Sequence, residues 1–336
     1  MSSSSTSDAE LIIYLKSIVS QINFYFGSLI FFFGIVGNIL NILILSQRPL
    51  RSNTCAIIFL ASSIAGTITI LSGLTSRIMS NWNADISGSI RWICKFRGFV
   101  LFAFRSLTFW LLMLATIDRW LISSTNVRFR RLSSYKNVVR SIFLLTLLSL
   151  TIHSQLLYCY ESSLNNTPLK CFNKNTVCRL INDLSFAILT ILLPLILIVI
   201  FGWMTILNIR LSHNRIKPAI GVNIVGSPLE LVSHHQQQRF KKIDHHLFIM
   251  LFIQAILFSF LTFPVAIQKL YATLTMNIEK SPLKITIEDF VYQITLLMTY
   301  FAFGMQFYVN TLSGGDVFRK TMINFRQFII RKIICQ

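Results

Sequence analysis

Charge is what this chain has least of. Only 13% of its 336 residues are Asp, Glu, Lys or Arg, about half the share of an ordinary soluble domain. Acids are scarcer still, 12 against 31 basic residues. Period-two alternation of apolar and polar residues is missing too, which excludes the strands of a membrane barrel. The opening segment Met1–Gln21 has no basic n-region, so the apolar stretch behind it is not a cleaved signal peptide. His234-His235 and His245-His246 fit no metal-ligand spacing, and no metal or other cofactor is expected. Internal repeats of the transporter kind are absent as well.

What is present is apolar sequence in long blocks. Hydrophobic residues make up 54% of the chain. They gather in Ile22–Leu45, Cys55–Ser76, Gly98–Ile117, Ser141–Tyr160, Leu184–Ile209, Leu247–Gln268 and Phe290–Leu312. Roughly 20 apolar residues cross the hydrocarbon core of a bilayer. Lipid offers backbone amides no partners, so each block must be a helix. The expected fold is all-α, a membrane protein with a seven-transmembrane-helix bundle over residues 22–313. Residues 1–21 are expected to form a disordered tail and 314–336 a separate terminal segment. One residue charged at neutral pH falls inside a block: Arg105.

Basic residues also give an orientation. The segments Gln47–Thr54, Arg119–Arg140, Arg210–His246 and Ser313–Gln336 hold nineteen Lys and Arg; the other four hold eleven, with eight acids. The positive-inside rule puts the first group in the cytoplasm and the amino terminus outside. Charge segregated by loop marks a membrane topology and not nucleic-acid binding. Cys94, Cys159, Cys171 and Cys178 then lie in outer segments, where disulfides persist. The sequon Asn165-Asn166-Thr167 lies outside with them, a glycosylation candidate at Asn165.

The third block begins near Cys94 and closes on Asp118-Arg119-Trp120. Twenty-five residues separate Cys94 from Arg119, about 37 Å of helix. This pattern resembles the rhodopsin-like (class A) G-protein-coupled receptors, whose third helix starts with a disulfide cysteine and ends in Asp-Arg-Tyr. Further matches follow in order along the chain. Gly37-Asn38 resembles the family's Gly-Asn pair, and Leu60-Ala61 resembles its Leu-Ala-x-x-Asp stretch. Pro194 and Pro264 stand where the fifth and sixth helices keep their prolines, with Phe258 as the packing phenylalanine. Phe318-Arg319-Lys320 resembles the start of the short amphipathic cytoplasmic helix. The resemblance spans roughly residues 24 to 325.

It also has gaps. Ile64 stands at the sodium-binding Asp, and Leu261-Thr262-Phe263-Pro264 lacks the switch tryptophan. Gln306-Phe307-Tyr308-Val309-Asn310 replaces Asn-Pro-x-x-Tyr. The chain is therefore a divergent member, of neuropeptide-receptor type, by this reading.

The resemblance implies a plasma-membrane receptor that passes an extracellular signal to a heterotrimeric G protein. Asp118 and Arg119 would carry coupling. Asp244, 20 residues before Pro264, would close the inner face against Arg119, or else be a solvated loop carboxylate. Arg105 lies at pocket depth, with Leu101, Lys269, Gln293 and Tyr300 as further candidate ligand contacts. Its guanidinium suits a ligand carboxylate, or else pairs internally with His153 or Gln293. Leu101 offers an amine no counter-ion, and the seventh block has no lysine for retinal, so a peptide is the expected ligand. The disulfide expected at the head of the third helix joins Cys94 to Cys171, which leaves Cys159 free to pair with Cys178, a pairing the sequence leaves open. Cys335 beside Arg331-Lys332 is a palmitoylation candidate, or a free thiol. Two rivals are a chemosensory receptor of the same fold for a small-molecule ligand, and a seven-helix transporter or membrane enzyme.

Overall fold

The computed structural model describes the backbone of residues 2–47, 50, 53–80, 82, 84–163, 171–216, 228–313 and 322–323, and their side chains except for 2–6, 212–216 and 228–248. The fold is all-α but for one small hairpin. Helix α1 is Ser2–Leu45, α2 Thr54–Ser80, α3 Arg91–Ser123 and α4 Tyr135–His153. Helix α5 is assembled from Thr176–Ser185, a π-helical stretch Phe186–Leu192 and Leu193–Ile216. Helix α6 is Pro228–Leu274, and α7 is Pro282–Gly304, continued after a bend by Gln306–Ser313. Six of these helices are long and apolar enough to cross a membrane, and the two pieces of α7, at 49°, make a seventh span when counted as one.

Polarity in this bundle is inverted relative to a soluble protein. Its lipid-scale outer surface carries Phe32, Phe143, Val199 and Phe260, while Asn38, Asn41, Ser63, Thr299 and Gln306 are buried. Water would penalise that arrangement and hydrocarbon favours it. The protein is a helical multi-pass membrane protein.

Helix α1 corrects one expectation. The Ser-rich start is helical from Ser2 and does not form a disordered tail. No proline interrupts it, and its first glycine is Gly27, so nothing local stops the helix. The span Ser7–Leu45 has 39 residues, about 58 Å, nearly twice the hydrocarbon thickness. The helix is therefore longer than one crossing requires.

Two helices depart from α geometry at defined places. In α5, Leu193 N–H reaches back to Ile188 O, and Pro194 has no N–H to donate. Leu189 O is then left over, and Trp110 Nε1 of α3 donates to it at 2.9 Å. The widened turn is thus closed by a neighbouring helix. In α7 no proline makes the bend. Gln306 Nε2 donates to Ser62 Oγ at 3.1 Å, and Asn310 Nδ2 to Asn41 Oδ1 at 3.0 Å. Asn41 Nδ2 donates to Ser63 Oγ, which donates on to Gln306 Oε1. This neutral amide and hydroxyl network ties the bent piece to α1 and α2. Gly34 and Gly304 let α1 meet α7 closely; a Cβ on Gly34 would stand 3.2 Å from Gly304 Cα.

The network also corrects a register. Ile64 faces outward, 42% exposed, and Ser63 is the interior residue at that level. One residue on a helix is about 100° of rotation, enough to turn an assigned core position to lipid.

The end of the bundle that bears the disulfides is capped. Strands β1 (Tyr160–Glu161) and β2 (Phe172–Asn173) pair antiparallel, Tyr160 against Asn173. Cys94 at the head of α3 is joined to Cys171, and Cys159 to Cys178. Arg91 Nε pairs with Glu161 at 2.8 Å. The two bridges close loops of very different size, with sequence separations of 77 and 19. Chain entropy makes them worth about 4.5 and about 3 kcal/mol. Paired Cys→Ser replacement at 94 and 171 is therefore expected to lower the thermal midpoint of detergent-solubilised protein more than replacement at 159 and 178. The reverse order in a melting experiment would refute the entropic account.

Candidate functional site

The chemistry of the bundle gathers on α3. Arg105 sits midway along it, 1% exposed. Its guanidinium carbon lies 5.1 Å from the Tyr300 ring centroid, 5.7 Å from Phe102 and 5.8 Å from Phe186. Phe102 is one turn before Arg105 on the same face of α3. Phe186 opens the π-helical stretch of α5 and meets Phe102 edge-to-face at 6.0 Å. Tyr300 comes from α7, and glycine at 73 admits it, since a Cβ there would overlap the Tyr300 ring. Three helices thus build a cage of rings around one cation.

That cage leaves Arg105 short of partners. Its Nε and Nη2 have no hydrogen bond among the described residues. Neither internal partner expected for it is used: His153 Nδ1 bonds Ser149 O at 2.9 Å, and Gln293 Oε1 is taken by Arg77. Ring faces give a desolvated cation about 2 kcal/mol each, while burying an unpaired charge costs several kcal/mol. The site is electrostatically incomplete.

Next to it lies a second cation whose pairing is complete. Lys269 Nζ of α6 is bonded to Asp183 Oδ1 of α5, and Thr273 Oγ1 donates to Asp183 Oδ2 at 3.1 Å. Arg179 stands 3.8 Å from the same carboxylate. The Lys269 ammonium shares two rings with Arg105, lying 5.8 Å from Phe102 and 5.4 Å from Phe186. Two buried cations therefore stand over the same rings, and Lys269 is the one bonded to an acid. Tyr160 of the hairpin adds a wall 6.1 Å from Phe102. Burial pushes its phenol above the usual range, helped by the Tyr292 phenol and opposed by Arg97, so it stays neutral.

Of the residues expected here, Arg105, Lys269 and Tyr300 are brought together. Leu101 is buried one turn away on α3 and makes no polar contact. Gln293 belongs to a different cluster on α1, α2 and α7. There Arg77 Nη1 donates to Gln293 and to Asn23 Oδ1 at 3.3 Å, and Gln293 Nε2 donates to Asp289 at 3.3 Å. Sequence reading missed Asp183, Phe102 and Phe186.

Below Arg105 three rings meet edge-to-face: Phe109 with Phe258 at 5.6 Å, Phe258 with Phe303 at 5.4 Å, and Phe109 with Phe303 at 6.0 Å. They join α3, α6 and α7 one level below the caged arginine. Pro264 lies inside α6, a turn and a half beyond Phe258.

At the far end of α3, Asp118 and Arg119 are both buried. Asp118 Oδ2 accepts from Arg119 Nη2 at 2.9 Å and from Thr54 Oγ1 at 2.8 Å, and Ser133 Oγ donates to Oδ1. Arg119 Nη2 also lies 3.4 Å from Asn53 Oδ1. Trp120 packs on Phe129 and Phe201, 5.4 and 5.2 Å away. Asp244 lies on α6, but its side chain is outside the described residues, as are Asn165, Cys335 and Phe318-Arg319-Lys320. Among the described residues no cluster of His, Cys, Asp or Glu is placed to hold a metal ion.

No protein-family model matches the sequence, and no curated protein matches it.

Proposed function

We propose that the protein is a rhodopsin-like G-protein-coupled receptor of the plasma membrane, taking an extracellular ligand, a peptide, at Arg105 and acting on a heterotrimeric G protein. The observation that carries this reading is the unpartnered, ring-caged Arg105 halfway along a helix that ends in the buried Asp118–Arg119 pair. On this reading the disulfide end is extracellular and the Arg119 end cytoplasmic, in line with the charge of the loops. Ligand and G protein then act on the middle and on one end of the same helix, with the Phe109, Phe258 and Phe303 contact between them. A ligand that binds one arrangement of α5, α6 and α7 better than another shifts the population toward it.

The test is expression with an extracellular amino-terminal tag and a promiscuous G protein, screened against a neuropeptide library. A responding peptide supports the reading. Arg105→Ala should then weaken its potency tenfold or more at equal surface expression, since a hydrogen bond to a charged group is worth about 1.5–3 kcal/mol. Unchanged potency would make Arg105 structural.

A small-ligand, chemosensory receptor is the second reading. The near-complete burial of Arg105 favours it, because a peptide reaches that depth only by its end. Response to small organic acids in the same assay, without response to peptides, would decide for it.

A further inference from the structure

Arg105 also defines the chemistry of what it binds. We infer that the ligand delivers a carboxylate to Arg105, as a free acid, with an apolar group seated against Phe102, Phe186 and Tyr300. This rests on the reading that the Arg105 site takes an extracellular ligand.

The orphaned atoms carry the inference. Nε and Nη2, both buried and without a hydrogen-bond partner among the described residues, lie on the same edge of the guanidinium. Their N–H bonds run side by side and match the two oxygens of one carboxylate, the bidentate fork in which Arg is strongest. A single carbonyl oxygen, as in a primary amide, accepts from one of them well and leaves the positive charge unpaired. An ammonium group brings repulsion from Arg105 and Lys269 alike.

Among the described residues nothing completes the site. Asp183 is the acid of this cluster, and it already accepts from Lys269 and Thr273 with Arg179 beside it. Counting Arg105, Lys269 and Asp183, the buried cluster has an excess of one positive charge. That excess suits a monoanion. The walls are aromatic, from three different helices, so the group next to the carboxylate is apolar. The ring cage is a positioning device: it holds a buried guanidinium among groups that accept no hydrogen bond from Nε or Nη2.

The experiment uses purified full-length protein in detergent, without any G protein. Phenylalkanoates with two to six methylenes, their primary amides and the matching phenylalkylamines serve as probes. Thermal midpoints are read for the unaltered protein and for Arg105→Met, which keeps an unbranched side chain and removes the charge. At least one acid should raise the midpoint of the unaltered protein with an apparent affinity tenfold or more above that of its amide and amine. Arg105→Met should lose that shift, and should itself melt higher than the unaltered protein when no probe is present, since an unpaired buried charge has gone. Equal shifts from acid and amide, no shift from any acid, or a shift kept in Arg105→Met would each overturn the proposal. A lower unliganded midpoint in Arg105→Met would do so as well, by making the guanidinium a structural group. The acid–amide contrast needs no variant, so the test survives if Arg105→Met fails to fold. Acids that bind in detergent with no signalling in cells would end the receptor reading and leave the site intact. Peptides that signal equally as acids and as amides would do the opposite.

Discussion

Lys269→Met is expected to lower stability by about 3–5 kcal/mol, the cost of breaking a buried ion pair from one side. Lys269 and Asp183 expose only 5% and 3% of their side chains. Without the ammonium, Asp183 keeps Thr273 at 3.1 Å and a distant Arg179 at 3.8 Å, too little to offset a buried negative charge. The carboxylate is the source of the penalty, so removing it should reverse the effect. Lys269→Met with Asp183→Leu is expected to recover most of the loss, because an apolar pair of similar volume often matches a buried ion pair. A double-mutant cycle on the thermal midpoint isolates the coupling. A single-variant loss below about 1 kcal/mol would mean that water already reaches Asp183.

The position of this pair shows where sequence reading stops. Asp183 stands one residue before the apolar block Leu184–Ile209, and Lys269 one residue after Leu247–Gln268. Arg77 likewise follows Cys55–Ser76 directly. Each block was bounded by its first charge, and each of those charges is inside a helix and buried. Hydropathy marks where a helix meets charge, and this protein continues its helices through that boundary because charges from α5 and α6 neutralise one another. Arg105 was legible for the opposite reason: it interrupts an apolar run, and a lone mid-span charge has to face the interior. Its cage was not. The chain has 29 phenylalanines, and nothing local separates Phe186, turned inward at a π-helical stretch, from Phe260, which faces out. Ile64 failed in the same manner, since its assignment depended on helix rotation that only the packing of Ser63 against Gln306 and Asn41 decides.

Helix α3 links the two polar sites through its own length. Arg105 and Arg119 are 14 residues apart, about 21 Å. Along that stretch, among the described residues, the Phe109 level joins α3 to both α6 and α7 by aromatic contacts. The bent piece of α7 begins just beyond it, held by uncharged amides. A neutral network can exchange partners at little electrostatic cost, whereas Asp118 cannot release Arg119 without burying or exposing charge. The resistance to change therefore lies at the Asp118 end.

That asymmetry fixes the expected behaviour of the Arg119 end in cells. Asp118→Asn removes the charge that holds Arg119 at 2.9 Å and weakens the acceptor used by Thr54 and Ser133. If the closed state loses even about 1 kcal/mol, the open fraction rises about fivefold, and ligand-independent signalling should rise with it. On the proposed receptor reading, Arg119→Ala should act the other way, abolishing coupling while leaving ligand binding intact, because that reading makes the freed guanidinium the group offered to the G protein. Asp244→Ala separates two origins of the restraint. A rise in basal signalling equal to that of Asp118→Asn gives α6 a share in it, and no rise assigns it to the pair within α3. Unchanged basal signalling in Asp118→Asn, at matched surface expression and with Arg119→Ala still silent, would show that the buried pair stabilises the fold and takes no part in switching.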